Sequence, residues 1–399
     1  MKIVMLAPLY YPQRGGAETI VRSLAEGMAS HGHDITVITD RRSPSSPETE
    51  FREGVRIVRT HRYLSRLTTL QQRQVVPWEE CIFALQPELD NLTSHLPNTD
   101  IIHAHCTVSA FPASLIGMRL GAPVVVTPHE TSPEKDPLGV EASRLLLTLS
   151  PIKRVIVGSQ TFAKQVRGIG VENSHLAVIP FGVDLHMFHP EVSDLIFRKQ
   201  LKLSEGEVVV TCVGRFKERK RQLDIVEAIR LCYERRPELR LRILLVGSCD
   251  AASSTYLEEI RRRIASYGLG NKIIILEDLS QDLLPSLYAT SDIVLQPSAA
   301  EGLGLAVLEA QASGCAVIAS AVDGLTETVH HGKTGLLVEL GDIEMLASSI
   351  VTLYDDTHLR QQLATNALAQ VRGEFDVQRT VQQTLAEYEK VTEQGEISE

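Results

Sequence analysis

The sequence predicts an α/β protein built from two doubly wound parallel sheets in tandem. Three observations carry that prediction. Short, β-branched, wholly apolar runs alternate with helical patterns along most of the chain. Strands without polar alternation are buried on both faces, as parallel sheets covered by helices are. The alternation pauses at a Pro- and Gly-punctuated stretch, Pro180-Phe181-Gly182-Val183-Asp184 to Phe188-His189-Pro190, and then restarts. A chain of 399 residues also exceeds one ordinary core, and size scaling favours two domains of roughly 200 residues each.

The first half opens with the strand-like run Ile3–Ala7 and the helical pattern Ala17–Ser30, the start of a βαβ unit. Ile35–Thr39, Val55–Arg59, Ile101–Ala104, Val124–Thr127, Val155–Val157 and Ala177–Ile179 continue the strands, with helices at Val108–Leu120 and Gln160–Arg167. In the second half Val208–Val213, Ile243–Val246, Ile273–Leu276, Ile293–Gln296 and Ala316–Ala319 read as strands. Gln222–Arg236, Tyr256–Tyr267 and Leu283–Thr290 are the helices between them. A last helix spans roughly Val377–Val391. The domains predicted are therefore 1–184 and 185–376, with 377–391 as a closing helix.

A hydrophobic fraction of 43% and a charged fraction of 23% are those of a water-exposed globular protein. No apolar run approaches the ~20 residues needed to span a bilayer. Six cysteines are scattered without a Cys-x-x-Cys pair, which points to a reducing cytoplasm and away from a disulfide or zinc framework. The net charge of −10 argues against generic nucleic-acid binding. From Arg41 to Arg73, however, eight arginines face three glutamates. That stretch is either a solvated face or a contact for an anionic acceptor or an anionic membrane surface.

Chemistry concentrates in Ser298-Ala299-Ala300-Glu301-Gly302-Leu303-Gly304-Leu305-Ala306-Val307-Leu308-Glu309-Ala310. A strand, a glycine turn and a helix aim bare backbone N–H groups at an anion. Glu301 falls in the turn. Glu309 falls among Val307, Leu308, Ala310 and Ala312, where a carboxylate is costly without hydrogen-bond donors. Sugar or ribose hydroxyls would supply them; the plainer reading is an amphipathic helix with two solvated acids. A second candidate, Gly214-Arg215-Phe216-Lys217-Glu218-Arg219-Lys220, follows a strand and suits a diphosphate: arginine supplies a fork of donors, lysine a mobile charge. Gly15-Gly16 at a helix start lets the backbone approach a phosphate or an acceptor. His103-Ala104-His105-Cys106 puts two histidines on one strand face, for lining a site, for core packing or, less readily, for a metal.

The block around Glu301 and Glu309, with Gly314-Cys315-Ala316-Val317-Ile318-Ala319-Ser320, resembles the Glu-x7-Glu region of the retaining nucleotide-sugar glycosyltransferases of family 4. The resemblance implies the GT-B architecture: two Rossmann-like domains facing a central cleft, with the last helix crossing back to the first domain. The linker Ile179-Pro180-Phe181-Gly182-Val183-Asp184 resembles the family's Pro-Asn-Gly-Val-Asp hinge, from which Phe181 departs. Arg215 and Lys220 match the family's diphosphate pair, and Gly16 its Gly-Gly loop. His129 matches a histidine placed against the donor sugar near the reacting carbon. Glu301 is implied to hold the donor sugar, Glu309 the ribose, and Gly302, Leu303 and Gly304 the phosphates. The turn around Leu279 is implied to hold the base, although Glu277-Asp278-Leu279-Ser280 lacks the family's usual glycine. Glu130 departs from the residue that usually follows the histidine. Arg219 and Arg221 are left as surface charges.

The resemblance further implies transfer of a hexosyl unit to an acceptor hydroxyl with retention, the leaving phosphate taking the acceptor's proton. It implies no cofactor and no metal, in keeping with the lack of an Asp-x-Asp pair. UDP-sugars are the family's commoner donors, with GDP-mannose the alternative. The acceptor implied is a glycan, a lipid-linked glycan or a small polar molecule. Two other functions fit the same architecture: a sugar-nucleotide epimerase or hydrolase, and a nucleotide-sugar-binding protein without turnover.

Overall fold

The structure is a computed structural model that describes residues 1–13, 15–61, 88–94, 96, 98–129, 139–149, 151–192, 195–249 and 254–396. The chain separates into two compact units, Met1–Phe181 with Val377–Glu399, and Gly182–Asp376.

Unit 1 holds the strands β1 (Lys2–Leu6), β2 (Asp34–Asp40), β3 (Thr49–Arg52), β4 (Val55–Thr60), β5 (Ile101–His105), β6 (Val124–Thr127), β7 (Ile152–Val157) and β8 (Leu176–Val178). They form one sheet in the order β3-β4-β2-β1-β5-β6-β7-β8. Every pairing is parallel except β3 with β4. The apolar strands serve two cores at once, because successive side chains point to opposite faces. Val4, Leu6, Ile102, Ala104, Val124 and Val126 enter one core with the helix Ala110–Leu120. Ile3, Met5, Ile35, Val37, Ile101 and Val125 enter the other with the helix Gly16–Ser30.

The last helix, Val377–Glu396, belongs to this second core through Val381, Tyr388 and Val391. It approaches the helix Gly16–Ser30 so closely that a Cβ at Gly27 would lie 2.7 Å from Val381 Cγ2. Thr380 Oγ1 donates to the Pro180 carbonyl at 2.9 Å, and Arg154 pairs with Glu387 at 2.8 Å.

Unit 2 holds β9 (Val208–Val213), β10 (Leu241–Gly247), β11 (Ile273–Glu277), β12 (Ile293–Gln296), β13 (Ala316–Ser320) and β14 (Leu336–Val338). All are parallel, in the order β11-β10-β9-β12-β13-β14. The order reverses between β9 and β12, and ligands of doubly wound sheets bind beyond the strand ends at such a reversal. In unit 1 the reversal lies between β1 and β5.

Some elements lie outside the sequence reading. β3 is an edge strand with no fully buried residue, so Thr-Glu-Phe-Arg carries no apolar signal. The helices Ile343–Asp355 and Thr357–Glu374 each start at an aspartate, Asp342 and Asp356, whose carboxylates accept the N–H of Met345 and of Leu359, both at 2.8 Å. β14 has only three residues. No helix among the described residues is long and apolar enough to cross a membrane.

Candidate active site

In unit 2, β9 and β12 both end at the sheet reversal, and the loop after each meets the other. The loop after β9 runs from Gly214 to a short turn of 3-10 helix, Glu218–Lys220. Phe216, wholly buried, pins it to the core, and Gln222 Nε2 donates to the carbonyl of Arg215 at 3.1 Å. The loop after β12 carries Ser298 to Gly304 into the helix Leu305–Ala312.

Glu301 sits where the two loops meet. Lys220 Nζ donates to its Oε1, and Arg219 Nη1 lies 3.5 Å from its Oε2. Gln296 Nε2 donates to the same Oε1 at 2.9 Å and to Ser298 Oγ at 2.8 Å. The residue is only 8% exposed. Burial alone would raise its pKa, but the charges of Lys220 and Arg219, with hydrogen bonds from Lys220 and Ser298, outweigh burial and hold it below the ordinary carboxylate range. Glu301 is thus a buried, ionised carboxylate.

Arg219 is not the surface charge that the sequence suggests. Its guanidinium donates to the Ala300 carbonyl, and its own carbonyl accepts the Ala299 N–H at 2.8 Å. The residue clamps the turn that presents Glu301. No local signal reveals this, because the partners stand 81 positions apart. Arg221 bonds Asp224 at 2.6 Å on the first turn of its helix. Arg215 is exposed, and its guanidinium forms no ion pair among the described residues.

Glu309 lies on the helix Leu305–Ala312 and is 8% exposed. Its Oε2 accepts the Tyr288 hydroxyl at 3.0 Å. Burial pushes its pKa up to about 7, and the Tyr288 bond only partly opposes that. Gly304, which caps the helix, has φ +84, a left-handed backbone that a side chain resists, and a Cβ there would meet Leu325 Cδ2 at 2.6 Å. A Cβ on Gly302 would meet nothing within 4 Å. Among the described residues the N–H groups of Gly302, Leu303, Gly304 and Leu305 donate to no backbone acceptor, as expected at a helix start. They are available to an anion.

Leu279 packs on the cluster of Phe197, Val209, Leu244, Val246 and Leu287. Before it Asp278 has φ +52 and donates its N–H to the Gly247 carbonyl at 2.9 Å. An aspartate thus makes the left-handed turn for which a glycine is the usual residue.

In unit 1, Gly16 begins the helix Gly16–Ser30, with open space at its Cα. His129 follows β6, partly exposed, with its ring 5.5 Å from that of Phe181. Its Nε2 is 3.1 Å from His105 Nδ1. His103 bonds Tyr388 OH through Nδ1 and Thr127 Oγ1 through Nε2, the latter at 2.7 Å. Burial lowers the pKa of His103 to about 3 and of His129 to about 4, and it holds His105 well below the usual value. All three rings are neutral at pH 7. Cys106, next in chain, has φ +79, a strained backbone at the β1–β5 reversal. Among the described residues no group of three or more His, Cys, Asp or Glu side chains is arranged to hold a metal ion. Glu130 lies outside the described residues.

The described arginines of the Arg41–Arg73 stretch offer less outward charge than the sequence suggests. Arg59 is buried and bonds Glu50 at 2.7 Å and the Tyr11 and Pro47 carbonyls, each at 3.1 Å. Arg41 ties the Pro44–Glu48 loop, Arg52 stacks 3.9 Å above the Tyr11 ring, and Arg42 is 3.9 Å from Asp40. Arg62, Arg66 and Arg73 lie outside the described residues.

Comparison with known proteins bears on the family and the fold. Residues 14–187 match the model of Glycosyltransferase Family 4, and residues 194–370 match that of Glycosyl transferases group 1. The D-inositol 3-phosphate glycosyltransferase of Actinosynnema mirum is 29% identical over 404 residues, covering 96% of this chain and 95% of that one. The enzyme of the same name from Arthrobacter sp. is 27% identical over 393 residues, covering 95% and 91%. Among solved structures, Anabaena HepE in complex with UDP and glucose superposes with a TM-score of 0.81 at 23% identity, covering 98% of this chain and all of that one. Sucrose-phosphate synthase from Thermosynechococcus elongatus superposes at 0.79 with 25% identity, covering 98% and 99%.

Proposed function

This chain belongs to glycosyltransferase family 4, the group 1 enzymes of GT-B fold, and from that premise we propose that it moves a hexosyl unit from a UDP-sugar to a hydroxyl of a small polar or glycan acceptor, with retention and without a metal ion. The observation that carries the reading is Glu301, held ionised by Lys220 and Arg219 at the β9–β12 reversal, eight residues ahead of Glu309 and beside a run of unbonded N–H groups.

In this reading negative charge grows on the leaving diphosphate as the anomeric C–O bond breaks. Arg215, Lys220 and the N–H groups of Gly302, Leu303 and Gly304 meet that charge, and preorganised donors of this kind are each worth about 2.7–4 kcal/mol. Lysine has three donor hydrogens, so Lys220 can serve Glu301 and a phosphate oxygen together. Glu301 accepts hydroxyl protons of the donor sugar and fixes its orientation. Glu309 accepts from the ribose, the turn at Leu279 borders the base, and Gly16 lets the backbone of unit 1 approach a ligand. His129 contacts the sugar. A diphosphate oxygen takes the acceptor's proton.

UDP is favoured because a solved structure of the same fold carries UDP and glucose. A phosphorylated polyol is the first acceptor to assay, because relatives spanning nearly the whole chain are D-inositol 3-phosphate glycosyltransferases. The test is thermal shift with UDP, GDP and ADP on the wild type and on Glu309→Ala. A ligand at 100 times its dissociation constant adds ~2.7 kcal/mol. UDP should raise the wild-type midpoint and leave the variant unmoved. If intact UDP-sugars and GDP-sugars also fail to shift the wild type, the reading is wrong. NMR of the product, with and without EDTA, then reads retention and metal dependence.

A further inference from the structure

His105 and His129 share one hydrogen bond and hold no net charge between them. His105 Nδ1 is 3.1 Å from His129 Nε2, with the rings 14° apart and their centroids at 5.4 Å. His105 has no exposed surface, and among the described residues its Nε2 has no hydrogen-bond partner. The His103 ring lies 4.0 Å from that of His105, tilted by 36°, but commits both nitrogens elsewhere, to Tyr388 and Thr127. His129 Nδ1 has no protein partner among the described residues.

A neutral imidazole carries one N–H, so only two arrangements exist. In one, His129 donates from Nε2 and His105 must keep its proton on Nε2, burying an N–H with no acceptor. In the other, His105 donates from Nδ1, leaving only a bare lone pair on its buried Nε2. Orphaned buried N–H groups are rarer and costlier than under-used acceptors. The second arrangement therefore prevails, and it forces the proton of His129 onto Nδ1, the nitrogen without a partner among the described residues.

We propose that His105 is a positioning residue that locks His129 in its Nδ1–H tautomer, so that His129 offers a ligand a hydrogen-bond donor and has no free lone pair to act as a base. The role given to the locked His129, contact with the donor sugar, rests on the glycosyltransferase reading. The tautomer itself does not.

The experiment is a long-range proton–nitrogen correlation spectrum of protein carrying 15N-histidine, without substrate, assigned with His129→Gln. The lock requires a protonated Nδ1 and a bare Nε2 on His129. His105→Asn, whose amide N–H replaces the Nδ1 donor, should keep that pattern and hold kcat and donor KM within about threefold. His105→Asp, an acceptor only, should move the proton of His129 to Nε2 and lower kcat on the order of 10²-fold, the loss typical of one preorganised donor, with a much smaller change in donor KM. A wild-type spectrum with protonated Nε2 on His129 overturns the proposal, whatever the variants do. Equal spectra for the two variants overturn it as well. If the tautomer is as stated but His129→Gln transfers sugar at the wild-type rate, the lock stands and the role assigned to His129 falls.

Discussion

Tyr288 donates its hydroxyl to Oε2 of Glu309 at 3.0 Å, with the tyrosine wholly buried and the glutamate nearly so. Phe188 meets the Tyr288 ring edge-on at 5.9 Å and limits its movement. The carboxyl group thus has one oxygen bonded to Tyr288 and, among the described residues, no hydrogen bond to the other, and its protonation is balanced close to neutral pH.

With Glu309 on the ribose, as proposed, nucleotide binding should release protons. Ribose hydroxyls donate to the carboxylate form and so favour ionisation. Calorimetry at pH 6.5 in buffers of different ionisation enthalpy should show release of a fraction of one proton per UDP bound. Glu309→Gln should abolish the release. The same group affects stability: its folded pKa of about 7 stands above the ordinary 4.5. The native state holds the extra proton between those values, so this group's contribution to stability falls as pH rises from about 4.5 to about 7. Denaturant midpoints of Glu309→Gln should lack that fall.

Glu301 has the opposite sign. Its folded pKa is depressed, so its stabilising contribution is present above the unfolded value and is lost as pH falls through the folded one. Lys220→Met leaves the carboxylate buried with Arg219 as its one nearby positive charge among the described residues and should cost about 3 kcal/mol at pH 7, the lower end for breaking a buried pair. The loss should shrink below pH 4.5. Urea unfolding of Lys220→Met, and of the same variant carrying Glu301→Gln, measures it; the double variant should recover part of the loss.

Arg219→Met should fold normally and lose about 10- to 100-fold in kcat/KM, since one or two hydrogen bonds to a charged group are worth roughly 1.5–3 kcal/mol. Arg219→Lys keeps charge near Glu301 but loses the planar fork, and it should recover only a fraction. Steady-state kinetics with UDP-sugar varied separates the two.

Gly302 and Gly304 should part company. Gly304→Ala adds a Cβ to a left-handed residue, costing about 1–2 kcal/mol, and crowds Leu325. It should lower the thermal midpoint. Gly302→Ala enters open space, so its midpoint should match the wild type while its UDP affinity drops, if phosphate occupies that space. Thermal shift with and without UDP reads both.

The fold was legible because its signals are local. Apolar strands such as Val208–Val213 and Ile293–Gln296 announce parallel sheets wherever they pair. β3 was illegible because its four residues bury nothing completely. At the candidate site, Glu301, Glu309, Arg215 and Lys220 stand out because each pair belongs to one short motif. The anchoring of Arg219, the pairing of His105 with His129 and the bond from Tyr288 to Glu309 join residues 81, 24 and 21 positions apart, each on a different element. Spacing alone holds no information about which side chains the sheets bring together.

The returning helix Val377–Glu396 sets an order on biosynthesis. Unit 2 is one continuous run, Gly182–Asp376, nested inside the chain of unit 1. During translation the whole of unit 2 is made before the segment bearing Val381, Tyr388 and Val391. Unit 1, although synthesised first, waits with Ile3, Met5 and Val21 short of their final cover. The half of the protein begun earliest is therefore the last to receive all of its chain.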